Sequence, residues 1–120
     1  MARPRTFDEE LVRQQAKTLF ATQGYNGTSI DDLVKATGLL RGSLYKAFGS
    51  KRNLFEVVLA AEVKSFNPTP ENLDLLTVAL KDVAASDKAI RELCRSIVEA
   101  MGKSFPQVLG NNLLAKIGKD

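Results

Sequence analysis

At 120 residues the chain has room for one or at most two small domains, and its 44% apolar, 26% charged composition is that of an ordinary soluble globular protein. A single cysteine, Cys94, excludes an internal disulfide framework and a cysteine-based zinc site, and the lack of any histidine removes the commonest general base and metal ligand. The net charge of +3 is unevenly spread: residues 1–54 hold nine Lys/Arg against five Asp/Glu, residues 55–120 eight against nine, the pattern of a polyanion-binding head on a near-neutral body.

The periodicity is helical throughout. A first helix is expected from Thr6, where Thr6-Phe7-Asp8-Glu9 reads as a capping box. Its stripe is Val12, Ala16, Leu19 and Phe20, and Gly24 stops it. Ser29 caps a short second helix with Asp32 three residues on and Ile30, Leu33 and Val34 on its core face; Gly38 ends it. A third helix is expected over Leu40 to Phe48, with Leu44, Ala47 and Phe48 inward and Gly49 as its end. Ser50 caps a fourth, whose stripe is Leu54, Val57, Val58 and Ala61, reaching toward Phe66.

Two prolines in Asn67-Pro68-Thr69-Pro70 mark a linker, since proline blocks helix and donates no backbone hydrogen bond. Beyond it a helix is expected from about Glu71 to Ala85. Another follows, N-capped by Ser86, with the stripe Ile90, Leu93, Cys94, Ile97, Val98, Met101 and Phe105. Pro106 breaks that helix, and a last short one runs from Val108 to Ile117. The expected organisation is a DNA-binding domain over 1–50, a connecting helix over 51–66, a linker at 67–70 and a helical body over 71–120.

The second and third helices, joined by the tight turn Thr37-Gly38-Leu39-Leu40, form a helix-turn-helix. The third helix exposes Arg41, Gly42, Ser43, Tyr45 and Lys46 away from Leu44 and Phe48. These are residue types that read base edges, permit close approach or hold phosphates. Lys51 and Arg52 open the fourth helix, where they oppose its dipole, a cost that a nearby phosphate would remove.

Phe20-Ala21-Thr22-Gln23-Gly24-Tyr25-Asn26-Gly27-Thr28-Ser29-Ile30-Asp31-Asp32-Leu33 and Gly42-Ser43-Leu44-Tyr45-Lys46-Ala47-Phe48-Gly49-Ser50-Lys51, in order and without gaps, resemble the two signatures of the TetR family of bacterial transcriptional regulators. The resemblance covers about residues 6–60. It implies an all-α fold: a three-helix DNA-binding domain with a helix-turn-helix, then a small helical dimerisation body. It also implies a homodimeric repressor on double-stranded DNA, with the third helix in the major groove and a body that often binds a small ligand. Residue by residue, it implies phosphate contact at Thr28, Tyr45 and Lys51 and base contact at Arg41, Gly42 and Ser43. Leu40 and Ala47 depart from the pattern, standing where many relatives have a capping serine and a histidine. The basic Arg3-Pro4-Arg5 arm suits a minor groove.

In the body, Ile90, Leu93, Ile97, Val98 and Met101 are expected to form a two-fold dimer interface within a four-helix bundle. Leu59, Val63, Leu76, Leu80, Leu93, Ile97 and Met101 are the candidate lining for a small hydrophobic effector, against the alternative of a packed core. No run is long enough to span a membrane, and no leader precedes the first helix, so the cytoplasm is the expected location. No catalytic constellation and no cofactor site is legible. A sequence-specific regulator is therefore expected, with a protein-interaction module on the same fold as the alternative.

Overall fold

In the computed structural model the described residues are 7–118, and they form seven α-helices with no strand among them. The first, α1 (Glu9–Gln23), is capped by Asp8, whose carboxylate accepts from the Glu10 and Leu11 amides. The N-cap thus lies two residues later than the expected Thr6. With Asp8 as the cap, Glu9 and Glu10 fall in the first turn, where acids complement the dipole. Thr6 and the Arg3-Pro4-Arg5 arm lie outside the described residues.

Helix α2 (Ile30–Thr37) begins with a complete capping box between Ser29 and Asp32, and Gly38 ends it at φ 73°, a left-handed conformation that glycine adopts without a Cβ clash. Helix α3 (Arg41–Phe48) follows, and Ser50 caps α4 (Lys51–Val63) through the Asn53 amide. Pro70, expected in a linker, is instead the first residue of α5 (Pro70–Val78), with Thr69 as its cap. A missing N–H costs nothing there, so proline is well placed. The helix then widens into a π turn, Ala79–Val83, closed by Ala84 N donating to Ala79 O at 2.8 Å.

Helix α6 (Lys88–Met101) is capped by Asp87, not Ser86, and stops at Gly102 with φ 78°. Pro106 does not break α6. It lies in the first turn of α7 (Phe105–Leu114), which ends in a 3₁₀ segment, Ala115–Gly118.

The two halves share one core. Ala16, Phe20, Leu33, Leu44, Leu54, Phe55, Val58 and Leu59 form a single buried cluster with Leu75, Leu76, Ile90, Cys94 and Ile97. Helix α5 packs along α1, and α6 packs on α4. The residue 67–70 segment is therefore a turn between packed helices.

This core revises two expectations for the body. Ile90 and Ile97 are fully buried within the chain, because α4 and the π turn cover that face of α6, so they are not available to a second copy. Leu93, Val98 and Met101 are only partly buried at its flank. The proposed effector lining does not surround one space either. Leu59, Leu76 and Ile97 are fully buried and Val63 packs beside them, whereas Leu80 is 37% exposed on the outside of the π turn.

Candidate nucleic-acid interface

Helix α3 stands on α2 and α4 with one fully seated side chain, Leu44. Arg41, Gly42, Tyr45 and Lys46 are exposed and Ser43 is half-buried, so the expected reading face is brought together on the solvent side. Nothing would meet a Cβ at Gly42, which leaves the backbone there open to close approach. Tyr45 is half-exposed and lines a shallow crevice with Ile30, Leu33 and Leu54.

The start of α3 is irregular. Leu40 holds the N-cap position with no side-chain cap bond and is 78% exposed. Beside it, the Arg41 guanidinium pairs with Asp31 of α2. Both partners are well exposed, so this pair contributes little stability. The pair links the first residue of α3 to the first turn of α2.

Two expected phosphate contacts are placed differently. Thr28 is 1% exposed, and its hydroxyl donates to Gly24 O at 2.6 Å, so its side chain fastens the α1–α2 loop. Lys51 turns inward: its Nζ donates to Tyr25 O at 3.0 Å and Thr28 O at 3.1 Å and lies 4.1 Å from the Tyr25 ring centroid. Burial pushes its pKa below the usual value, partly offset by the Asp82 carboxylate.

Arg52 is also satisfied internally. Its Nε and an Nη reach both oxygens of Asp87 at 2.7 and 2.9 Å, and another Nη pairs with Glu56. The electrostatic cost of two cations in the first turn of α4 is thus relieved by the chain itself, without a phosphate. Glu56 lies one turn along α4, but Tyr25, Thr28 and Asp87 lie 23 to 35 residues away in sequence, beyond any local pattern.

Residues 12–58 match the family model described as bacterial regulatory proteins, tetR family. This segment is a TetR-type domain. Over 99 residues it is 33% identical to the HTH-type transcriptional regulator YezE of Bacillus subtilis (strain 168), covering 82% of this chain and 46% of that protein. Over 105 residues it is 29% identical to the HTH-type transcriptional repressor BdcR of Escherichia coli (strain K12), covering 88% of this chain and 48% of that one. The chain therefore spans about half the length of these relatives. Among solved structures it shares its fold with a cysteine mutant of the TetR family regulator CifR complexed with 26-base-pair double-strand operator DNA. There the TM-score is 0.52 at 24% identity, covering 98% of this chain and 74% of that one. No helix of the described residues is long and apolar enough to cross a membrane.

The matched segment ends within α4, so the family signature covers the helix-turn-helix and its supports. The polar ties from the body to this domain, through Asp82 and Asp87, lie outside it.

Proposed function

We propose that this chain is a sequence-specific transcriptional repressor of the TetR family that places α3 in the major groove of double-stranded DNA. The observation that carries the reading is the solvent face of α3: Arg41, Gly42, Tyr45 and Lys46 exposed together at the open end of a helix-turn-helix. Arg41 reads a base edge, Gly42 allows the backbone close, Ser43 bonds a base or phosphate, and Tyr45 and Lys46 hold the sugar-phosphate strand. Lys51 and Thr28 act behind this face, fixing the loop that carries α2.

The proposal extends to a homodimer on a palindromic operator, with two α3 helices about 34–36 Å apart on successive major-groove faces. With Ile90 and Ile97 buried, its apolar contact surface moves to Leu113, Leu114 and Ile117, which are exposed on α7 and the 3₁₀ segment after it. It does not extend to an effector seated among Leu59, Leu76 and Ile97, because those side chains fill the shared core.

The test is enrichment of duplexes from a random-sequence library by the wild-type protein, with sequencing of what is retained. An enriched two-fold sequence whose preference at one base pair is relaxed by Arg41→Ala supports the reading. Equal retention of all duplexes, or equal loss of enriched and random binding in Arg41→Ala, counts against base reading by α3.

A further inference from the structure

The α1–α2 loop, Gly24 to Thr28, fixes where α2 starts and hence the attitude of the whole helix-turn-helix. Its backbone is tightly specified. Gly24 has φ +85°, and a Cβ on Gly27 would come within 2.2 Å of Gln23 O. The loop carbonyls are taken by the domain's own side chains: Gly24 O by Thr28, Gly27 O by Gln23, and Tyr25 O and Thr28 O by Lys51. The Tyr25 ring packs on Phe55 at 5.1 Å and on Phe20 at 6.0 Å.

Two of the loop's amides are satisfied from the body. The Asp82 carboxylate accepts from Tyr25 N at 3.1 Å and from Asn26 N at 3.5 Å. The same oxygen would lie 3.3 Å from a Cβ on Gly24, so the loop and the carboxylate are in close contact. Asp82 belongs to the π turn, a rare geometry that recurs at functional positions. The wide turn buries Ala79, Val83 and Ala84 together and leaves Asp82 at its edge, against the loop. The Lys51 ammonium acts on the loop's carbonyls while the Asp82 carboxylate acts on its amides, so opposite charges grip the two polarities of one short backbone segment.

We propose that Asp82 is a positioning residue for DNA binding: from the body it holds the Tyr25 and Asn26 amides, and through them the α1–α2 loop, in the arrangement that orients α2 and α3 for the groove. The inference rests on the DNA-binding reading above. Sites held by a supporting shell lose function when that shell loosens, even where the contacting residues are untouched. A buried or half-buried amide left without its acceptor also destabilises the conformation that orphaned it.

The experiment uses the full chain and three proteins: wild type, Asp82→Ala and the control Glu71→Ala. Glu71 of α5 accepts from the Thr18 hydroxyl of α1 at 3.2 Å, so its loss removes a tie between body and domain away from the loop. Binding is measured to a duplex that the wild type has selected from a random library, alongside amide hydrogen exchange. Asp82→Ala is expected to bind about tenfold more weakly and to exchange faster at Tyr25 and Asn26, with Leu33 and Val58 unchanged; Glu71→Ala binds like the wild type. Unchanged exchange at Tyr25 and Asn26 overturns the contact. Faster exchange with unchanged affinity, or an equal affinity loss in Glu71→Ala, overturns the positioning role. A wild type that enriches no duplex overturns the DNA-binding reading and the positioning role with it, while the exchange data still decide the contact.

Discussion

Replacing Asp87 separates two contributions that one carboxylate makes. It caps α6 through Ile90 N at 3.2 Å, and it receives the Arg52 guanidinium on both oxygens at 2.7 and 2.9 Å. Arg52 holds its pKa at about 2, below the usual 3.8. Taken whole, that shift would correspond to roughly 2 kcal/mol, but the Arg52 side chain is 35% exposed and solvent screens the pair. About 1 kcal/mol is therefore expected from the charge. Asp87→Asn keeps a capping oxygen and loses the charge, so urea unfolding near neutral pH should show a loss of ~1 kcal/mol. Asp87→Ala removes cap and charge together, for ~2 kcal/mol. The folded pKa is depressed, so the contribution is complete above the unfolded value near 3.8 and is lost as pH falls through about 2. The wild-type and Asp87→Asn stabilities should converge over that window. An Asn variant as stable as wild type at neutral pH, or a deficit that persists unchanged at the acid end, would refute the argument.

Arg41→Ala should cost about 1–3 kcal/mol in binding to a selected duplex and relax one base-pair preference, with a melting temperature close to wild type because its ion pair is exposed. Asp31→Asn should act in the opposite direction, tightening binding in an electrophoretic shift assay by removing the carboxylate that competes for Arg41. Leu40→Ser supplies the side-chain cap that α3 lacks and should stabilise the protein by ~1 kcal/mol in thermal unfolding; no gain would mean that the start of α3 is already satisfied by other means. Burial pushes the Cys94 thiol up to about 11, so labelling by dithiobis(nitrobenzoate) near pH 8 should wait on unfolding, and rapid labelling of the native protein would contradict its burial.

Much of the helix-turn-helix was legible because its determinants are local. The Ser29–Asp32 box, the left-handed Gly38 and the Ser50 cap each operate within four residues. The resemblance to the TetR signatures named the same segment. The body was less legible because its determinants are not local. Ser86 and Asp87 are both good caps, and the choice falls on Asp87, which Arg52 holds from 35 residues away. Pro70 and Pro106 read as breaks, yet each lies in the first turn of a helix, a distinction that depends on what the following residues bury. Ile90, Cys94 and Ile97 of the α6 stripe face the core as their spacing predicts, whereas Phe105 belongs to α7, and periodicity does not say which surface covers a stripe. Lys51 shows the same limit at the candidate site: its position matched the family pattern, while its two carbonyl partners come from a loop folded against it.

Anchorage differs sharply between α3 and the longer helices α1 and α4. Phe20 and Phe55 meet edge to face at 5.0 Å, and Leu54, Val58 and Leu59 of α4 are buried with Leu75 and Leu76 of α5. Between α1, α4 and α5 the buried Lys17 ammonium also reaches Asn72 Oδ1 at 3.0 Å and Glu62 at 3.5 Å. By contrast, α3 has eight residues and one fully seated side chain, as α2 has, and lacks the capping box that fixes the start of α2. Local opening follows the burial and hydrogen bonding of each segment, so a short helix held by one leucine opens at a lower free energy than the core around it. Native-state amide exchange should therefore be fastest, among the four N-terminal helices, in α3, and slowest along the buried faces of α1 and α4. DNA that binds α3 should slow its exchange selectively, because the ligand stabilises only the closed helix. Leu40→Ser should slow it without DNA, by supplying the missing cap. Protection in α3 equal to that in α4 in the free protein would show that α3 is held by more than Leu44 and its partly buried neighbours.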